Sequence, residues 1–388
     1  MQTKEAIVFP DYPNSLLGAI SSVLRHYGVQ DTHATLPELD QALQNGPRNV
    51  VFMIFDGLGV DMLEHDLAPD DFFRRHLRRE LTSVYPSTTA AATTTYNSGL
   101  SPLEHGSLGW SLYFKEYCRC IDIFPNQDSF SGEEIAGGRA NDRFLSYKTI
   151  YERIAEAGSG VHTYNLQPSF IPFREGPHTL VHADDVQTYC DTIAEICRNG
   201  QQNFIYAYWF EPDSTMHKQG CYTDGIKEMV RRFSAQVEAM CAQLEDTLLI
   251  VSADHGLRNV EPQPVYLNEI EELAACLLLP PSMDARAASL FVRPDRKADF
   301  PALFQKHLGA DFLLLTREEA FARQLFGPGT PHPKSLDFVG DFVACAVGDR
   351  YLKYRTPNAP DKGHLYFGHH AGLTAPEMVI PLILCEMP

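Results

Sequence analysis

Residues 49–57 read Asn-Val-Val-Phe-Met-Ile-Phe-Asp-Gly. The unbroken apolar run from Asn49 to Phe55 has the character of a strand buried on both faces, as in the centre of a parallel sheet. Working outward, the same pattern recurs. Residues 161–165, 203–209 (NFIYAYW) and 247–252 (TLLIVS) read as strands, and 378–385 as a final one. Residues 150–157 read as a helix closed by Gly158, and 185–197 carry an apolar helical stripe. Thr223 can cap a long helix whose Ile226, Met229, Val230, Phe233, Val237, Met240 and Leu244 form one face. Strands alternating with helices predict an α/β fold, a mainly parallel central sheet with helices on both faces.

One region departs from this pattern. Residues 261–336 are rich in Pro and repeat a small strand–helix–strand–helix pattern at 288–293, 297–308, 311–315 and 317–326. They are expected to be an inserted α+β cap subdomain in a catalytic domain of 1–260 and 337–388. Phe291, Phe300, Phe304 and Phe312 are read as the cap's own core. Residues 341–347 and 351–354 predict a hairpin around Gly348-Asp349.

Composition narrows the function classes. The chain has 388 residues, 44% hydrophobic and 21% charged, which is ordinary globular usage. Fifty acidic against 32 basic residues give a net charge of −18 and no basic run, which argues against general nucleic-acid binding. An anionic substrate must be drawn by something else, and bound metal ions would serve. No apolar stretch reaches membrane-spanning length, and residues 1–13 lack a signal-peptide core, so no membrane association is expected. The nine cysteines, many inside apolar patterns, predict reduced thiols and a cytoplasmic protein. Cys118 and Cys120 alone make a weak metal signal.

Four places carry candidate chemistry, each after a strand or in a loop, where open α/β sheets bind ligands. Asp56 follows the first strand; a carboxylate there is a metal ligand or a turn residue. Pro86-Ser87-Thr88-Thr89-Ala90-Ala91-Ala92 suggests a helix start with Ser87 or Thr88 near the cap. A hydroxyl there could attack phosphorus, or the segment could be a plain cap with small packing residues. Asp213 and His217 are four apart and share a helical face, which suits one metal or a solvated helix start. Asp254-His255-Gly256 can aim two ligands into one site from a loop, or form a structural pair. Three Asp, two His and a hydroxyl fall one ligand short of two zinc sites. Gly368-His369-His370-Ala371-Gly372 offers two histidines that could complete them.

These residues resemble the nucleotide pyrophosphatase/phosphodiesterases of the alkaline phosphatase superfamily. The strand-D-G start, Y-P-S-T-T, G-L-S-P-L-E-H-G, E-P-D-x3-H and A-D-H-G occur in the same order there, and H-A-G-L-T-A-P-E-M resembles a segment common in bacterial members. The resemblance spans 50–381, interrupted by the insertion. It implies that Asp56, Thr89, Asp254 and His255 hold one Zn²⁺ and Asp213, His217 and His370 the other. Thr89 would be the nucleophile, with Thr88 as fallback; His369 is the fallback for His370. The ligand set alone also admits Mn²⁺. The implied substrate is a small phosphate ester, with nucleotides among the candidates, cleaved through a phospho-threonine.

Two departures stand out. The Thr is followed by Ala90-Ala91-Ala92-Thr93 rather than Phe-Pro-Asn-His, and Trp110 stands where the family has an Asn. Trp110 and Tyr113 are taken as substrate-binding candidates, with Phe114 and Tyr117 nearby. Two Zn²⁺ against three Asp and a Thr alkoxide give a near-neutral site, which favours a diester over a monoester. No C-x-P-x-R sulfatase segment occurs. A phosphomonoesterase or phosphonate hydrolase on the same core is the alternative, and a non-catalytic metal-binding module is the alternative from another class.

Overall fold

The computed structural model describes residues 6–172, 174–355 and 365–388. A seven-stranded sheet runs, from edge to edge, Leu77–Thr82, Val379–Met387, Thr247–Ser252, Asn49–Phe55, Asn203–Trp209, His162–Gln167 and Thr179–His182. The strands from Thr247–Ser252 to Thr179–His182 are all parallel. Val379–Met387 is antiparallel to both of its neighbours. Asn49–Phe55 is buried at every residue, as its unbroken apolar run requires.

Successive side chains of a strand point to opposite faces, so Phe52 and Phe55 look opposite ways. Phe52 packs on Tyr96 of the helix Thr89–Ser98, and Phe55 stacks on Phe233 of the helix Asp224–Cys241, both with ring centroids 5.3 Å apart. Helices therefore cover both faces. Their starts follow local chemistry: Thr223 accepts from Ile226 N, Asp185 from Thr188 N, and Thr149 forms a reciprocal box with Glu152.

A second seven-stranded sheet holds Phe312–Thr316, Phe342–Ala346, Ala287–Leu290, Ser282–Asp284, Ser111–Phe114, Arg119–Asp122 and Gln127–Asp128, in that order. Residues 261–336 supply three of these strands; the others come from either side of that segment in the chain. The expected hairpin around Gly348-Asp349 does not form. Phe342–Ala346 is buried at every residue and lies between Phe312–Thr316 and Ala287–Leu290. A fully apolar strand needs partners on both sides and cover on both faces, which a two-stranded hairpin cannot give. Leu352–Lys353 pairs instead, in parallel, with Val265–Tyr266. Phe300, Phe304 and Phe312 join one buried cluster, while Phe291 packs on Tyr113 at 5.8 Å. Among the described residues, no helix is long and apolar enough to cross a membrane.

Candidate metal centre

Asn49–Phe55, Asn203–Trp209 and Thr247–Ser252 are adjacent and parallel, so their carboxyl ends lie side by side. Asp56, Asp213 and Asp254 leave those ends and meet, though they are far apart in sequence. Asp213 N donates to Asp56 O at 3.1 Å, and Gly57 N to Asp254 Oδ1 at 3.2 Å. The helix Asp213–Gln219 puts His217 Nε2 3.3 Å from Asp213 Oδ1, as the four-residue spacing implies. Thr88 is the N-cap of the helix that Thr89 begins. Thr89 Oγ1 lies 3.4 Å from Asp56 Oδ2 and 3.2 Å from His255 Nε2.

His255 Nε2 is 3.4 Å from both Asp56 Oδ1 and Asp254 Oδ2, and His370 Nε2 is 3.8 Å from Asp213 Oδ1. Two groups of donors each gather within 4.8 Å: Asp56, Asp254 and His255; and Asp213, His255 and His370. His255 thus stands between the two groups, its ring stacked on that of His370 at 3.9 Å. Neither group includes His217, nor does either include His369. His369 is buried beside them, with Nδ1 accepting from His370 N.

The donor set fits divalent ions. Asp56 Oδ1, Asp213 Oδ1 and Asp254 Oδ2 are buried without a hydrogen-bond partner. Their distances to imidazole nitrogen are long for a hydrogen bond, but two ligands at tetrahedral angles about 2 Å from one zinc lie roughly 3.3 Å apart. The Nδ1 atoms of His217, His255 and His370 donate to the carbonyls of Gly368, Gly256 and Ser87 at 2.8, 3.1 and 3.0 Å. That fixes each tautomer and frees Nε2, the usual outer support of a metal-bound histidine. Burial and the neighbouring Asp254 and Asp213 push the Asp56 carboxyl well up. Burial raises Asp213 to about 7, partly offset by His255. Burial likewise lowers His217 and His370, so the imidazoles stay neutral. A cation would relieve the crowded carboxylates and use the neutral nitrogens. Gly256 is required by close packing: a Cβ there would sit 2.1 Å from Pro376 O.

Two cavities, of about 560 and 760 Å³, open on this cluster and share Thr89, Trp110, Asp213 and Ser214. The smaller lies beside His217 and His370, and the larger beside Asp56 and Tyr208. Trp110 lines both cavities. Tyr113 lines neither cavity and packs on Phe291 instead. Phe114 is wholly buried and Tyr117 lies against it, because alternate residues of Ser111–Phe114 and its turn face the second core.

Sequence reasoning missed several residues. Tyr208 donates to Asp56 Oδ2. Its place on Asn203–Trp209, one residue before the end, was a usable signal. Asp284, raised by burial to about 6, accepts from Thr88 Oγ1 at 3.0 Å. Arg139 and Arg174 line the larger cavity, and Lys218 and Lys353 the smaller. Lys218 follows His217 on the helix Asp213–Gln219, whereas nothing in the local sequence marks Arg139, Arg174 or Lys353.

A family model described as type I phosphodiesterase / nucleotide pyrophosphatase matches residues 50–355. Murine ectonucleotide pyrophosphatase/phosphodiesterase 5 is similar in structure, with a TM-score of 0.63 at 16% identity over 87% of this chain and 88% of that one. A structure of an inactive threonine-to-alanine form of that murine protein, in complex with AMP, has a TM-score of 0.62 at 16% identity, covering 86% and 87% of the two chains. Phosphonoacetate hydrolase from Sinorhizobium meliloti 1021, in complex with phosphonoformate, is similar with a TM-score of 0.62 at 18% identity, over 88% of this chain and 91% of that one. No curated protein sequence matches. With the family model covering most of the chain and the fold shared throughout, this chain belongs to the type I phosphodiesterase / nucleotide pyrophosphatase family of hydrolytic enzymes in the alkaline phosphatase superfamily.

Proposed function

We propose that the chain is a two-zinc phosphodiesterase that works through a phospho-Thr89 intermediate. The observation that carries this reading is the pair of cavities meeting at Thr89 and Trp110, which gives phosphorus room for a substituent on each side. Asp56, Thr89, Asp254 and His255 would hold one ion, and Asp213, His217 and His370 the other. Bound there, the ions would lower the pKa of the Thr89 hydroxyl and stabilise the departing oxygen.

Thr89 Oγ1 gives its proton to solvent and forms a bond to phosphorus as the bond to the leaving oxygen breaks; that oxygen takes up a proton from solvent, and the resulting alcohol leaves by the cavity beside His217 and His370. The retained group stays in the larger cavity, where Phe170 and Phe210 (5.1 Å apart) and Tyr147 offer planar faces, suited to a nucleotide. Water then adds to phosphorus, the Thr89 Oγ1–P bond breaks and the hydroxyl is restored. The inactive threonine variant of the murine relative supports a threonine in this role.

A second reading is favoured by Arg139 and Arg174 in the larger cavity. Cations there would suit a substrate with an extra negative charge, either a phosphomonoester or a phosphonate cleaved at P–C. The test is zinc-loaded protein with bis-p-nitrophenyl phosphate, thymidine-5′-p-nitrophenyl phosphate, p-nitrophenyl phosphate and phosphonoacetate. Diesters turned over at the highest kcat/KM are expected; preference for the monoester or phosphonoacetate would replace the first reading by the second. Zinc uptake with no turnover of any ester would leave only a binding module. We also assign the chain to the cytoplasm, a reading supported by nine unpaired cysteines, seven of them buried.

A further inference from the structure

Arg286 and Glu377 form an ion pair in which neither side chain meets solvent. Arg286 donates from Nε to Oε1 at 2.7 Å and from Nη2 to Oε2 at 2.8 Å. Burying two charges is costly, so such a pair is poor evidence of stability by itself. What it holds is more informative. Two of the three remaining guanidinium hydrogens go to Arg350 O and Gly348 O. The other carboxylate lone pairs accept from Gly372 N at 2.8 Å and Thr374 Oγ1 at 2.6 Å, on the turn that follows His370.

That turn is tied from its far side as well. Ser87 Oγ donates to Gly372 O at 3.0 Å, and His370 Nδ1 donates to Ser87 O at 3.0 Å. Between them Ala371 holds a left-handed φ of 89°, a conformation that persists only when its surroundings enforce it. Gly372 has no room for a side chain: a Cβ would lie 2.7 and 2.8 Å from the two Glu377 oxygens. Two residues before Arg286, Asp284 grips Thr88, the neighbour of Thr89. One hairpin of the second sheet therefore reaches both the threonine segment and the histidine turn.

We propose that the Arg286–Glu377 pair is a positioning device that fixes His370, and with it the half of the metal site shared with Asp213 and His217. It rests on the two-metal reading above. Outer partners of metal ligands typically change affinity about 10- to 100-fold when removed. The experiment is calorimetric titration of the metal-free full chain with Zn²⁺, for wild type, Glu377→Gln, Arg286→Lys and Gly372→Ala. The Gly372 variant displaces the turn while leaving both charges in place, so the test survives if the charge variants fail to fold. In each variant one binding event is expected to weaken about 10- to 100-fold while the other keeps its wild-type affinity, and excess Zn²⁺ is expected to restore kcat. Wild-type affinities at both sites would overturn the proposal, as would equal weakening of both, which is what a general loosening produces. Uptake is measured without substrate, so a chain that hydrolyses no ester defeats the functional reading while the titration still decides this one. A wild-type chain that takes up fewer than two ions overturns both.

Discussion

The two sheets differ in how they are made. The first has three parallel strands at its centre, each a continuous apolar run of six or seven residues, and it carries Asp56, Asp213 and Asp254 at one end. The second has short antiparallel strands gathered from 111–128, 282–316 and 342–346. Beside the cluster the first sheet places potential ligands, whereas the second places Asp284 and, next to its strand Ser111–Phe114, Trp110. The division suggests that chemistry belongs to one sheet and selection to the other. Changes on the first should then act on kcat, and changes on the second on KM.

The largest expected effect is on the first sheet's side. Thr89→Ala should lower kcat for a diester by at least about a thousandfold, since it deletes the proposed nucleophile. Thr88→Ala, which breaks only the contact to Asp284, should cost about tenfold or less. Equal losses would erase the distinction between the adjacent hydroxyls. Next comes metal removal. Chelation should abolish turnover and lower the thermal midpoint, because ions bound only to the native state at a thousand times Kd stabilise by about 4 kcal/mol each. An unchanged midpoint would mean the cluster is closed without ions.

The third concerns the link between the sheets. Glu377→Gln leaves Arg286 buried without its counter-charge and should cost about 3–5 kcal/mol in denaturant unfolding. In the wild type, burial alone would raise the Glu377 carboxyl, yet Arg286 and the donors around it hold it below the ordinary value of 4.5. A depressed pKa contributes stability that is complete above the unfolded value and is lost as pH falls through the folded one. The wild type should therefore lose this contribution only below about pH 4, and Glu377→Gln should lack that acid-sensitive component. The smallest effect is expected at Trp110. Trp110→Ala should raise KM about tenfold, near 1.4 kcal/mol, with kcat little changed. A fall in kcat of the same size would place Trp110 with the chemistry and blur the division.

The contrast also accounts for what the sequence revealed. The runs at 49–55, 203–209 and 247–252 match the observed strands residue for residue, because a strand buried on both faces must be apolar throughout. Asp56, Asp213 and Asp254 were visible as candidate ligands because each comes after the end of such a strand. Ser111–Phe114 and Arg119–Asp122 were not: each has four residues with only two buried, which carries little pattern, and Ser111–Phe114 also pairs with Ser282–Asp284 far along the chain. For the same reason Tyr113 was placed at the site when only Trp110 reaches it. Asp284 ends a three-residue strand and Arg286 sits in the turn after it, and their meaning depends on Thr88 and Glu377, which no local reading supplies.

The position of Val379–Met387 sets the order of events during synthesis. It is a gap-filling strand, inserted between Leu77–Thr82 and Thr247–Ser252. Until the ribosome has released residues 379–387, Leu77–Thr82 has no neighbour in the sheet. A nascent chain can dock its central parallel strands early, but the sheet is complete only after this late insertion. Long-range pairing of this kind is slow. The partly built sheet meanwhile exposes an open edge along Thr247–Ser252, where a holding chaperone would have most to protect.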